Sequence, residues 1–592
     1  MKMKEHYFTL FNKWGCDAKD IYITEIANEL DCSVRHTKTI IKKLSEKEWI
    51  NWSPNPGRGK ASTIKLLKKP KEIEEQEVQN WIKQGNISKA LRWMENQSNL
   101  ETPFVQWLEN QFHWTPAHKH NKGLDVLSYP YYYTMNSLIP WETTTRHESH
   151  IAEHIYNRLV DYNFESQSFI PELAHDWEAS SNGRVWRIYL RKGIYFHNGE
   201  PLTSHTIKEN VLMWKHKQSA NWKQDMVKGI TDINTPTINI VEFKLSKPNQ
   251  LFLHLFTGYK ASIIPVQTYK QNPEAFRMLP VGTGPYRMIK HEEGHLILEA
   301  FDHYYGFRPM LDQIELYSIP KRPNHSRRQV YYRIVNNDTN KVKTLDWFRP
   351  SMGGVYLTIN HQKPGLHRHP DFPEMLSKAL DRTKLFKEHP SHDVWFPDSF
   401  FNENSGVLRQ SSDTQKAKEW FKKQGFEGEK LTLTSTCLSH NAYFKYELTA
   451  LKEVFKDIGI HLETKVVDIK ELANKRNLRQ TDIIIAGMEL GEDRLVSLMN
   501  AFTSPNSFIL NTVPTDVRVH IESMLETVWN SPNTEVACHN LRIVEEYLLD
   551  HYYMIFLYQR KYHICIEADE RLQGVEVNLN TRLRYHKLWY KS

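Results

Sequence analysis

A multidomain α/β chain headed by a winged helix-turn-helix is the fold class that the sequence predicts, and three observations predict it. The chain has 592 residues, more than one hydrophobic core organises, since domains run to about 100–200 residues. Its positive charge is crowded at one end. After about residue 123, helical spacing gives way to strands alternating with helices, the pattern of an α/β or α+β architecture with more than one lobe.

The charge is the sharpest of the three. Net charge is +7, and residues 1–69 carry 14 Lys and Arg against 8 Asp and Glu. Within them, residues 32–69 hold 10 basic and 2 acidic side chains, so the rest of the chain is nearly neutral. A basic stripe confined to one small segment is the electrostatic footprint of nucleic-acid binding, because each cation that neutralises a phosphate releases counterions. A solvated basic surface has the same charge, so periodicity must decide.

Residues 24–30 read as a short helix, with Thr24 as N-cap and Ile26, Ala27 and Leu30 facing inward. Asp31 and Cys32 make a turn. Ser33 is the N-cap of a second helix over 34–47, on which Val34, Thr37, Ile41 and Leu44 form a buried stripe. The opposite face carries Arg35, His36, Lys38, Thr39, Lys42 and Lys43. One helix that packs and a second that presents polar side chains to a groove is a helix-turn-helix. Strands at 49–52 and 61–67 flank the turn-rich loop 53–60, which makes a wing with Arg58 and Lys60 in reach of the phosphate backbone. The expected partner is double-stranded DNA, contacted by Ser33, Arg35, His36, Lys38, Thr39, Lys42, Lys43, Arg58 and Lys60. A winged helix that contacts protein instead is the alternative. The domain spans 1–70, and 71–122 is a helical connector.

Composition excludes several classes. At 40% hydrophobic and 25% charged, the chain is an ordinary globular protein. No apolar run reaches the ~18 residues that span a bilayer, and the first residues lack the apolar core of a secretory leader, so the expected location is cytoplasmic. Five Cys without a C-x-x-C pair argue against a disulfide framework or zinc ribbon. Gly282-Thr-Gly284 has no third Gly and no following Lys, so it is not a phosphate loop, and no nucleophile elbow is present. His150-Ile-Ala-Glu-His154 has the H-x-x-E-H spacing of zinc hydrolases, but with 29 His in the chain a chance match is common. His361, His367 and His369 sit among Pro and Gly and read as a loop. No metal, no cofactor and no enzymatic activity are expected.

Beyond residue 123, strands are expected at 125–130, 186–191 and 194–197, and helices at 148–159 and 203–215. Here the order of several segments carries a resemblance. Ile155-Tyr-Asn-Arg-Leu-Val160, Pro171-Glu-Leu-Ala-His-Asp-Trp177, Leu190-Arg-Lys-Gly-Ile-Tyr-Phe-His-Asn-Gly-Glu-Pro-Leu-Thr203 and Val281-Gly-Thr-Gly-Pro-Tyr286 occur in that order, followed by Asn360 and Ala379-Leu-Asp-Arg382. Together they resemble the family 5 extracellular solute-binding proteins, the oligopeptide and dipeptide receptors of transporters. The resemblance implies a two-lobed periplasmic-binding-protein-like clamp of type II. Lobe 1 would span about 123–350 and 556–592, and lobe 2 about 351–555, with crossings near 350–360 and 555–560. With the basic N-terminal segment, including Lys43-Leu-Ser-Glu-Lys-Glu-Trp-Ile50 and Gly57-Arg-Gly59, the chain is similar to SgrR-type transcriptional regulators. That implies sensing of a small solute (sugar, sugar phosphate or peptide). Transport receptors of the family carry a Trp where Met488 stands, which departs from transporter-type peptide binding.

Aromatic faces with a few polar groups suit a solute site, so Tyr131, Tyr132, Asn360, Trp395 and Glu489 are the candidate cleft residues. Two other readings stay open at this point: the solute-binding component of an ABC transporter, and a zinc hydrolase built on His150 and His154.

Overall fold

The computed structural model describes residues 2–591 apart from 56–59, 85, 96, 98–101, 110–113, 116–122, 132–134, 136, 144, 164, 217–226, 293, 319–329, 335–341, 388–393, 398, 402–410, 437–442, 468, 473–474, 504–506 and 579–580. The chain divides into two compact units, Met1–Gln111 and Phe112–Ser592. Compactness thus groups the helices after residue 70 with the basic N-terminal segment.

The first unit begins with α1 (Lys2–Trp14), β1 (Lys19–Ile21), α2 (Ile23–Glu29), α3 (Val34–Glu46), β2 (Ile50–Ser53) and β3 (Ser62–Leu66). The strands form an antiparallel sheet in the order β1-β3-β2. The β2–β3 hairpin runs in register from Ile50↔Leu66 to Ser53↔Thr63 and so projects the wing loop. One core gathers Tyr7 and Leu10 of α1, Ile26 of α2, Ile40, Ile41 and Leu44 of α3, Ile64 and Leu66 of β3, and Ile73 of the next helix. The Tyr7 hydroxyl donates to the Lys68 carbonyl at 2.6 Å and accepts from the Lys68 amide at 3.2 Å, pinning α1 to the end of the sheet. Helices Pro70–Lys83, Ile87–Glu95 and Thr102–Glu109 complete the unit.

Two details differ from the sequence reading. α2 begins at Ile23, with Tyr22 as N-cap and no side-chain cap, so Thr24 is inside the helix. On α3, Val34 is 38% exposed while Ile40 is buried. Val34 shares the angular position of Ile41 but sits in the first turn, at the end of the packed stripe, and the buried set widens to Thr37, Ile40, Ile41 and Leu44.

The second unit opens with an antiparallel sheet of Ile230–Thr237, Ile240–Leu245, Val185–Leu190 and Ala174–Ala179. A mixed sheet beside it orders Tyr286–Glu292, His295–Ala300, Gln313–Ser318, Val126–Tyr131 and Trp114–Thr115. The expected helix over 148–159 is Arg146–Ile155. It stops because the Ile155 carbonyl, which would receive the next helical turn, instead accepts from the Gly284 amide at 2.8 Å. The approach is so close that a Cβ on Gly282 would lie 2.0 Å from that carbonyl oxygen, so only glycine fits. Residues 194–197 form a tight turn with one bridge, Tyr195↔Pro201, rather than a strand. The Gly193 and Gly199 turns, both at positive φ, leave no length for a ladder.

The long strand Ile555–Asp569 is a spine shared by two further sheet systems. Its first residues pair with Gly354–Ile359, which in turn pairs with Ile483–Met488. Lys430–Thr436, the helix Tyr443–Asp457 and His461–Val467 add a parallel β-α-β unit. Gly354–Ile359 is buried at every position, as a central strand covered on both faces must be. The later part of the spine pairs antiparallel with Val342–Pro350 and parallel with Val330–Ile334. The chain therefore crosses between the two sheet systems at 351–353 and 558–560, where the Ser351 amide donates to the Arg560 carbonyl at 2.7 Å.

Among the described residues no helix is long and apolar enough to cross a membrane, and Cys16, Cys32, Cys538 and Cys565 are free thiols.

Candidate nucleic-acid face and solute cleft

α3 presents its polar side chains by simple helical geometry. Ser33 caps the helix, its hydroxyl accepting from the His36 amide at 3.3 Å. Arg35, Lys38, Thr39 and Lys42 recur at i, i+3, i+4 and i+7 and are all exposed, with His36 and Lys43 exposed at the margin of that face. Thr39 donates to the Arg35 carbonyl at 3.3 Å, which leaves its hydroxyl oxygen outward as an acceptor. The one acidic neighbour, Glu46, lies 3.9 Å from Lys42, with both side chains mostly exposed. Such a surface pair is worth little and does not cancel the local field. Lys60 is exposed at the wing, and Arg58 lies outside the described residues.

In the second unit, two of the five cleft candidates come together at the crossing. Trp395 pairs with Gln559 through the short strand Val394–Trp395. The Lys561 ammonium lies 6.0 Å over its ring, and its indole Nε1 is buried with no hydrogen-bond partner among the described residues. Glu489 follows the strand Ile483–Met488 and is exposed. Its carboxylate accepts from the Ser351 hydroxyl at 2.8 Å and from the Tyr562 hydroxyl.

The structure places Tyr131 and Asn360 elsewhere. Tyr131 is buried, and its hydroxyl donates to the His147 carbonyl at 3.2 Å. Asn360 sits at the far end of the strand Gly354–Ile359, where its amide donates to the carbonyls of Leu478 at 2.7 Å and Thr481 at 2.9 Å. That geometry joins two chain segments and uses both amide hydrogens. Tyr132 lies outside the described residues.

Several polar residues at the crossing were not foreseen. The Tyr558 hydroxyl donates to the Glu447 carboxylate, and Arg560 Nη2 approaches the same oxygen at 3.5 Å. Burial opposes the Arg560 charge, but Tyr558 and Glu447 outweigh it and hold the guanidinium charged. Tyr558, Arg560 and Tyr562 alternate on one face of the spine, and that period of two was readable in the sequence.

A second polar cluster ties together three segments distant in sequence. Asp493 is nearly buried, and its Oδ2 meets His254 Nδ1 at 2.6 Å and accepts from the Thr257 hydroxyl at 2.7 Å. Its Oδ1 caps the helix Arg494–Thr503 through the Val496 amide at 3.1 Å. His254 Nε2 meets the Thr534 hydroxyl at 3.0 Å, so this histidine is clasped by two segments more than 200 residues away in sequence.

The H-x-x-E-H residues are packed in the first lobe. His150 Nε2 meets the Leu583 carbonyl at 2.8 Å, and His154 stacks on Tyr585 with ring centres 4.5 Å apart. Burial, aided by Arg582, lowers the His150 pKa to about 3, so it is neutral. Of the loop histidines, His367 is buried against Asn360 and Asp482 rather than solvated.

Comparison with known proteins agrees with this geometry. Residues 168–508 match the bacterial extracellular solute-binding proteins, family 5 middle, and residues 2–114 match the N-terminal domain of sugar transport-related sRNA regulators. Over its whole length the chain is 25% identical to the uncharacterized protein YhjP of Bacillus subtilis, covering 100% of both. It is 25% identical to the HTH-type transcriptional regulator SgrR of Yersinia enterocolitica over 79% of each chain. Among solved structures, the periplasmic binding protein DppA of Helicobacter pylori, in complex with the peptide STSA, superposes with a TM-score of 0.63 at 18% identity, covering 79% of this chain and 98% of its own. A dipeptide-binding protein from Pseudoalteromonas, in complex with Met-Leu, gives 0.64 at 15% identity, covering 78% and 99%. The chain belongs to the family 5 solute-binding proteins, in the SgrR-type arrangement that places a regulator's N-terminal domain ahead of the binding lobes.

Proposed function

We propose that the chain is a ligand-responsive transcriptional regulator that acts in the cytoplasm, binds double-stranded DNA through α3 and the wing, and senses a small solute between its lobes. The observation that carries this is the α3 surface. Arg35, Lys38, Thr39 and Lys42 stand exposed on one face of a helix whose other face is buried in a winged-helix core. Arg35, His36 and Lys38 would meet base edges, while Lys42, Lys43, Arg58 and Lys60 would sit on phosphates. A transporter component has no use for such a face.

The solute is a sugar, sugar phosphate or peptide. Structures of this fold hold cargo as different as a peptide, agropinic acid and Ni(L-His), so side chains rather than fold select the ligand. Trp395, Glu489 and the Arg560–Glu447 pair supply an aromatic face, an exposed acceptor and a half-buried cation at the crossing. Ligand alters DNA affinity only by binding two lobe arrangements unequally. The test is a genome-wide pull-down with the full chain, repeated with each candidate solute class. The expected result is a small set of enriched fragments whose recovery changes at least about fivefold with one class. Recovery of no fragment above background would overturn the proposal.

A further inference from the structure

Three side chains from three elements of the first unit converge although no short motif links them. His6 lies on α1, Cys32 in the turn between α2 and α3, and His36 in the first turn of α3. Their ligand atoms all lie within 4.8 Å of one another. The backbone fixes each position. Tyr7, next to His6, is fully buried and anchored on Lys68. The Cys32 amide donates to the Ala27 carbonyl at 2.9 Å after Asp31 turns at φ +48°. The His36 amide is held by the Ser33 cap. His6 and His36 already meet edge to face with ring centres 6.4 Å apart. His6 and Cys32 are half-buried and His36 is exposed, so the cluster opens to solvent on one side.

The donor set is two imidazoles and one thiol, with no carboxylate. That is a borderline-to-soft set, suited to Zn²⁺ rather than to Mg²⁺ or Ca²⁺. Bonds of about 2.3 Å to sulfur and about 2.0 Å to nitrogen place tetrahedral ligands about 3.5 Å apart, within rotamer adjustment of the observed spacing. We propose that His6, Cys32 and His36 form a Zn²⁺ site that ties α1 to the first turn of α3, with water as the fourth ligand. Binding converts the Cys32 thiol to thiolate and releases its proton to solvent, while both imidazoles coordinate in their neutral form. The proposal stands on the geometry of the first unit and does not depend on what α3 binds. Sequence reasoning missed the cluster because His6 is 26 residues from Cys32, and Cys32 is four from His36, a spacing of no familiar zinc motif.

The test uses the untagged, reduced, metal-stripped full chain, titrated with Co²⁺ as a spectroscopic substitute. The expected result is one equivalent bound with the visible bands of tetrahedral cobalt and a near-ultraviolet thiolate-to-cobalt band, both bleached by Zn²⁺. Cys32→Ser should lose the thiolate band. His6→Gln and His36→Gln should each weaken Co²⁺ binding at least about tenfold, with circular dichroism unchanged. Because His6 lies on a separate helix, its variant still reads the site if Cys32→Ser folds poorly. The absence of tetrahedral bands in the wild-type chain, or a thiolate band that persists in folded Cys32→Ser, overturns the proposal.

Discussion

Replacing Asp493 with Asn should loosen the contact between segments 252–257 and 493–497 without unfolding the chain. The Asp493 carboxylate meets His254 Nδ1 at 2.6 Å and accepts from the Thr257 hydroxyl at 2.7 Å. Hydrogen bonds to a charged group contribute about 1.5–3 kcal/mol each, roughly twice the neutral kind. Asn keeps the shape and one acceptor but removes the charge. Halving two such bonds costs about 2 kcal/mol, or about a 30-fold shift from the joined toward the locally opened arrangement. Hydrogen exchange reads this directly, because amide protection scales with the opening free energy. Protection at segments 252–257 and 493–497 should fall about 30-fold, while the strand Val185–Leu190, buried on alternate positions in its own sheet, should keep its protection. Equal protection at both segments in wild type and Asp493→Asn would refute the assignment of Asp493 as a clasp between these segments. An equal loss everywhere would refute it too, since it would mark a global defect.

Glu545 and Gly282 give further tests. Burial pushes the Glu545 carboxyl up to about 7, although it accepts from the Ser399 hydroxyl and the Phe400 amide, each at 2.6 Å. A carboxyl whose folded pKa lies above its unfolded value stabilises the fold at low pH and loses that contribution as pH rises through the window. Here the window runs from about 4.5 to about 7, and the contribution amounts to about 3 kcal/mol. Glu545→Gln should therefore gain urea resistance relative to wild type as pH is raised from about 5 to about 8; a difference independent of pH would contradict this. His197 titrates in the opposite sense. Burial lowers its pKa to about 4, and its ring accepts from the Gly282 amide at 3.2 Å and donates to the Gly284 carbonyl at 3.0 Å. Its contribution is present above about 6.5 and is lost as pH falls toward 4, so His197→Gln should flatten the acid limb of the urea midpoint. Gly282→Ala drives a methyl group to 2.0 Å from the Ile155 carbonyl and should cost about 2 kcal/mol or more in the urea midpoint; an unchanged midpoint would show that the loop has room to move.

What the sequence made legible follows from how local each signal is. The α3 face is set by a 3.6-residue period and by charge, both read within 13 residues, and every residue assigned to it is exposed. α1 carries the same kind of signal, with Tyr7 and Leu10 buried and Met3, Phe11 and Trp14 packed beside them. The ordered segments from Ile155 to Tyr286 pointed to the solute-binding family whose pattern matches residues 168–508. The cleft was much less legible. Asn360 has the residue type of a ligand contact, but only the fold brings the Leu478 and Thr481 carbonyls to its amide. Arg560 and Glu447 are 113 residues apart and meet only when the spine strand is in place. His6, Cys32 and His36 converge for the same reason.

The central claim is that α3 reads DNA, and the salt dependence of that binding tests it most directly. Each phosphate neutralised contributes about −0.9 to the slope of log K against log salt. The measurement compares wild type with the Lys38→Ala, Lys42→Ala double variant on one enriched fragment across a salt series. Both residues are exposed, so the variant should fold normally. The account predicts a steep negative slope for wild type and one shallower by about 1–2 per bound protomer for the variant, with weaker binding throughout. A wild-type affinity insensitive to salt, or a slope and affinity unchanged in the variant, would contradict it.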